Sequence, residues 1–100
     1  MRNLIVVIDD EEDLLELLEY SLNKENFDVV GFLSTKHVTQ ILDEEKVSLM
    51  IVDRNLPDVE GSLFVEKLRA QGYEVPVLFL SAKVSEDERI EGFVRGGDDY

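Results

Sequence analysis

The chain has 100 residues, 44% of them hydrophobic, which suits one small domain with a packed core and argues against a disordered segment. Acids outnumber bases 23 to 10 for a net charge of −13, so the chain repels a phosphate backbone and direct nucleic-acid binding is disfavoured. Without cysteine there is no disulfide framework or thiolate metal site, no apolar run approaches the ~20 residues of a membrane span, and the amino terminus lacks secretory-signal form; a cytoplasmic protein with no membrane partner is expected.

Leu4-Ile5-Val6-Val7-Ile8 is unbroken and β-rich, the pattern of a strand buried on both faces of a parallel sheet. From Glu11 to about Lys24, Leu14, Leu18 and Leu22 recur every four residues beside Leu15 and Leu17, predicting an amphipathic helix with acids in its first turn. Asn26 and Phe27 mark its stop, and Asp28 to Leu33 reads as a second strand weakened at Gly31. Ser34 or Thr35 is the expected cap of a second helix, with Val38, Ile41 and Leu42 on its core face. His37 falls on that helix's surface, with no metal or catalytic role expected. A third strand, about Ser48 to Val52, delivers Asp53 to a turn closed by Pro57 and Gly61. Phe64, Val65 and Leu68 mark a third helix ending near Gly72, and Val75 to Leu80 is a fourth strand with Pro76 at its start. Ser85-Glu86-Asp87-Glu88 matches a capping box before a fourth helix carrying Ile90, Phe93 and Val94. Strands alternating with helices predict an α/β fold built on a parallel sheet.

In such a sheet the carboxyl ends of all strands lie on one edge. The first strand ends at Asp9-Asp10, the third at Asp53 and the fourth at Ser81. A flavodoxin-like strand order, 2-1-3-4-5, brings these residues to the crevice where such folds bind ligands. Asp9 and Asp10 taken alone suit a helix cap. With Asp53 beside them, three carboxylates would repel one another and hold protons unless a cation were present, and an all-oxygen donor set suits Mg²⁺. A carboxylate beside Mg²⁺ can act as a nucleophile toward a phosphoryl group. Ser81 could supply a hydroxyl to that group, whereas Lys83 lies too far along for an obvious ammonium.

These residues carry a resemblance that runs through the whole chain, 1–100. The sequence resembles the receiver domain of two-component response regulators. Ile8-Asp9-Asp10-Glu11 resembles the family's acidic pair, and Asp53 to Gly61 its phosphoacceptor segment, D-x-x-x-P-x-x-(D/E)-G. Leu80-Ser81-Ala82 is similar to its switch segment, and Gly96-Gly97-Asp98-Asp99-Tyr100 to the run entering its fifth strand. The resemblance implies a flavodoxin-like, doubly wound sheet that takes a phosphoryl group on Asp53 from a partner histidine kinase. It implies Mg²⁺ held by Asp9, Asp10, Asp53 and the main-chain carbonyl of Asn55, with Ser81 as switch hydroxyl and Tyr100 as switch aromatic. The implied setting is the amino-terminal part of a transcriptional regulator, in a domain that phosphorylates and dephosphorylates itself but is no enzyme in the usual sense.

The family's Lys-Pro pair follows three residues beyond the switch aromatic, and this chain ends before it. The expectation is therefore a receiver truncated at its carboxyl end, without its fifth strand and helix, whose fourth strand has an open edge. A homodimer formed by swapping or edge pairing is one way to cover that edge. Two other classes stay open: an interaction module that is not phosphorylated, and a metal-dependent phosphatase with an Asp nucleophile. Asn55 stands where such phosphatases usually carry a second acid, which speaks against the last.

Overall fold

The computed structural model describes residues 2–80. Among these residues seven elements follow one another: β1 (Leu4–Ile8), α1 (Glu12–Lys24), β2 (Asp28–Phe32), α2 (Val38–Glu44), β3 (Val47–Asp53), α3 (Gly61–Ala70) and β4 (Val77–Leu80). All strand pairs are parallel, in the order β2-β1-β3-β4. This is the flavodoxin-like order. The fourth helix read from the sequence lies outside the described residues. No helix among the described residues is long and apolar enough to cross a membrane.

The unbroken apolar runs become strands covered on both sides. Successive side chains of a strand point to opposite faces. Val6 and Ile8 of β1 and Met50 and Val52 of β3 accordingly join a core with Phe64, Val65 and Leu68 of α3 and Val38 of α2. Ile5, Val7 and Ile51 face the other way, onto Leu15 of α1. Burying a side chain of Leu68's size contributes roughly 1.5–3 kcal/mol, so α3 is held chiefly by this stripe. Leu49, Leu78 and Leu80, on the α1 side, are only half-buried.

Register places the chemistry. Ile8 of β1 is paired with Val52 of β3, so the next residues, Asp9 and Asp53, leave the sheet side by side. Helix ends follow simple rules in part: α1 carries Glu12 and Asp13 in its first turn and Lys24 in its last, matching the helix dipole. Asn26 takes a left-handed conformation after α1, and Gly72 does so after α3, with φ of 97°. α1 starts at Glu12, β2 ends at Phe32 and β3 runs one residue further at each end than expected; two larger differences follow. The fourth strand begins at Val77 rather than Val75. At α2, neither Ser34 nor Thr35 caps the helix: His37 occupies the N-cap position in a left-handed conformation, with no side-chain cap bond. His37 thus lies just before α2, exposed, rather than on its surface. Both hydroxyls lie ahead of His37 and turn to other partners: the Ser34 Oγ accepts from the Lys36 N–H, and the Thr35 hydroxyl donates to Asp58.

Candidate functional site

Three of the expected site residues converge. Oxygens of the Asp9, Asp10 and Asp53 carboxylates lie within 4.8 Å of one another. Asp9 is 1% exposed and Asp53 5%, whereas Asp10 is exposed and forms the open side of the cluster. Both buried aspartates are aimed by the same device. The Glu11 backbone N–H donates to Asp9 Oδ1 at 2.8 Å, and the Asn55 N–H donates to Asp53 Oδ1 at 3.0 Å. Each side chain therefore bends back on its own loop, two residues on, as aspartates at turns commonly do. Neither Asp9 nor Asp10 caps α1, whose N-cap position is Glu11 with no side-chain cap bond.

The loops are anchored to the sheet. The Asp9 N–H donates to the Phe32 carbonyl at 3.0 Å, and the Arg54 N–H to the Leu80 carbonyl at 3.1 Å. Beyond Asp53 the chain closes on itself: Asn55 and Glu60 form an antiparallel bridge, and the Gly61 N–H donates to the Arg54 carbonyl at 2.8 Å. Buried Leu56 pins the loop into the core. Gly61 packs so tightly that a Cβ there would stand 2.4 Å from the Asp53 carbonyl oxygen. Glu60 accepts a hydrogen bond from the Ser62 hydroxyl and lies 3.9 Å from Arg54 Nε. Asp58, at the exposed loop tip, accepts from both the backbone N–H and the hydroxyl of Thr35. Burial opposes its ionisation, but the Thr35 bonds and nearby backbone N–H groups outweigh that and hold the carboxyl below its usual range.

The electrostatics follow from burying like charges together. Burial pushes the Asp53 carboxyl above the ordinary carboxylate range; the Asn55 N–H draws it partly back, and Asp10 raises it again by charge and by a hydrogen bond. Burial also raises Asp9, the Glu11 N–H opposes this, and the charges of Asp53, Asp10 and Glu11 add to the rise. Such a cluster gains from a cation. Ligand oxygens around an octahedral ion with bonds near 2.1 Å lie about 3 to 4.2 Å apart, so a spread of 4.8 Å needs only small side-chain movement. The donor set, hard oxygen throughout, fits Mg²⁺.

Asn55 is exposed beside this cluster. Ser81, Lys83 and Tyr100 lie outside the described residues. A groove of about 430 Å³ between β2 and α2 has His37, Phe32 and Ile41 among its described lining and includes none of the three aspartates. The Thr35–Asp58 contact was not foreseen from the sequence, since it joins residues 23 apart.

Comparison with known proteins agrees with this geometry. Residues 5–100 match the family described as the response regulator receiver domain. The chain is 34% identical over 100 residues to the alkaline phosphatase synthesis transcriptional regulatory protein PhoP of Bacillus subtilis (strain 168). That alignment takes in all of this chain but 42% of the relative, so the chain spans about two fifths of its length. The BeF3-activated receiver domain of Klebsiella pneumoniae RstA superposes with a TM-score of 0.81 at 28% identity, over 98% of this chain and 83% of that one. The receiver domain of the Francisella response regulator 1452 gives 0.83 at 24% identity, over 99% and 82%, a likeness of fold. The chain therefore belongs to the response regulator receiver domains.

Proposed function

We propose that this domain accepts a phosphoryl group on Asp53 from a histidine kinase, with Mg²⁺, and relays that modification to an interaction surface. The observation that supports this best is the buried Asp53 carboxylate at the carboxyl end of β3, within a few ångströms of Asp9 and Asp10. An acid kept dry, oriented by the Asn55 N–H and crowded by two others has little use in a merely solvated surface. Asp9, Asp10, Asp53 and the Asn55 main-chain carbonyl would hold the cation, which when bound neutralises charge on the transferring phosphoryl group. An Asp53 oxygen attacks the phosphorus of a phosphohistidine, the P–N bond breaks, and the imidazole leaves with its proton restored from water. Water later hydrolyses the acyl phosphate. By the family resemblance, the Ser81 hydroxyl and the Tyr100 ring carry the change outward. The relationship to PhoP supports a place in a transcriptional regulator, with the DNA-reading work done elsewhere than on this acidic domain.

The test is incubation with Mg²⁺ and acetyl phosphate, followed by intact-mass measurement. One phosphoryl adduct is expected, removed by hydroxylamine and abolished in Asp53→Asn. An adduct that persists in Asp53→Asn, or none at all with Mg²⁺ bound, overturns the assignment and favours an unphosphorylated interaction module.

A further inference from the structure

The loop between β3 and α3 is fastened by different means at its base and at its tip. Its base is held by the Asn55–Glu60 bridge, the Gly61 N–H to Arg54 carbonyl bond and buried Leu56. At its exposed tip, Asp58 reaches the loop between β2 and α2. There the Thr35 backbone N–H donates to Asp58 Oδ2 at 3.2 Å, and the Thr35 hydroxyl donates to the same oxygen. Hydrogen bonds to an ionised acceptor are roughly twice as strong as neutral ones. The sheet order is β2-β1-β3, so a link from the loop leaving β2 to the loop leaving β3 must span the end of β1. That is the end from which Asp9 and Asp10 emerge.

Thr35 is also diverted from its local role. A threonine just ahead of a helix ordinarily turns its hydroxyl onto the first N–H groups of that helix. Here α2 starts at Val38 behind left-handed His37 without a side-chain cap, while the hydroxyl crosses to a residue 23 positions away. We infer that Thr35 and Asp58 are positioning residues whose clasp holds the β3–α3 loop, and with it the Asn55 main chain, in the shape that the three-aspartate site requires for a divalent cation. The inference rests on the phosphoacceptor reading for the cation's role. The clasp acts through the loop, since neither residue belongs to the carboxylate cluster.

The test compares Thr35→Val and Asp58→Ala, which break the clasp, with Thr35→Ser and Asp58→Asn, which keep a donor or an acceptor. Mg²⁺ binding is titrated calorimetrically well below the unfolding temperature, and amide hydrogen exchange is followed over residues 54–61. Breaking the clasp is expected to weaken Mg²⁺ binding about three- to tenfold, the net size of one ordinary hydrogen bond. The Asn55 and Gly61 amides should exchange several-fold faster, the double variant Thr35→Val/Asp58→Ala should be no worse than Asp58→Ala, Thr35→Ser should stay near the parent, and Asp58→Asn, with a neutral acceptor, should fall between the parent and Asp58→Ala. Unchanged affinity and exchange in folded Thr35→Val and Asp58→Ala, or equal loss in Thr35→Ser and Thr35→Val, overturn the inference. A role in stability alone would lower the unfolding temperature and leave the Mg²⁺ affinity where it was. If the parent binds no Mg²⁺ at all, the phosphoacceptor reading fails, and with it the clasp's service to a cation; unchanged exchange would further remove the clasp itself.

Discussion

At the scale of single residues, the site is a place where folding and function oppose each other. Asp53 is nearly fully buried beside two other acids, and its carboxyl is raised by that burial first. An unpaired buried charge is a standing cost to the folded state. Asn in its place would keep an oxygen to accept the Asn55 N–H and would carry no charge. Asp53→Asn is therefore expected to stabilise the metal-free domain by about 1 kcal/mol, a rise in unfolding temperature of roughly 4–8 °C. Thermal unfolding in EDTA and again in excess Mg²⁺ checks this. The advantage should appear in EDTA and shrink or reverse with Mg²⁺, because the variant gives up a ligand. A variant less stable than the parent in EDTA would show that the Asp53 charge is satisfied by something other than a cation.

At the scale of elements, the turn from β3 into α3 separates two kinds of glycine. A Cβ on Gly61 would stand 2.4 Å from the Asp53 carbonyl oxygen and 2.9 Å from Arg54 Cα, both backbone atoms that cannot swing aside. Gly72 has φ of 97° but nothing within 4 Å of such a Cβ. Gly61→Ala should therefore cost about 2–3 kcal/mol by forcing the loop away from Asp53, against ~1 kcal/mol for Gly72→Ala. Urea unfolding of both variants checks the order; equal losses would mean that the Gly61 loop relaxes freely. Gly61 was legible in the sequence as a turn residue, but its contact with the Asp53 carbonyl was not, because that is a matter of packing. The strands were read well for a related reason: Leu4–Ile8 and Leu49–Val52 are apolar runs whose burial on two faces leaves a local trace. The first turn of α2 was misread because the helix starts later, behind left-handed His37, while Ser34 and Thr35 bond to Lys36 and Asp58 instead. Asp9, Asp10 and Asp53 could be brought together only by assuming a strand order, and the order β2-β1-β3 justifies the assumption.

Across the whole molecule, charge sets how stability answers to pH and to cations. The chain carries a net charge of −13, and the two most buried acids among the described residues, Asp9 and Asp53, have raised carboxyls. For a carboxyl raised on folding, the native state binds more protons than the unfolded chain between the ordinary value, about 4, and the folded one. Stability then falls as pH rises through that window, and the full penalty stands above it. Asp58, lowered on folding, acts with the opposite sign, contributing stability above the ordinary value that is lost as pH falls through its folded value; being exposed, it contributes little. The metal-free domain should accordingly become more stable on mild acidification from neutral pH, with general relief of self-repulsion acting in the same direction. Asp9→Asn and Asp53→Asn distinguish the two, since each should flatten the profile by more than the loss of one exposed acid such as Glu16. Mg²⁺ at 100 times its dissociation constant should add about 2.7 kcal/mol near neutral pH, and less as protons compete for the same oxygens. The unfolding temperature followed against pH, with and without Mg²⁺, should thus give two curves that converge on acidification and part near neutrality. Parallel curves would mean that cation and protons do not share Asp9, Asp10 and Asp53, and the carboxylate cluster would lose its claim to be the cation site.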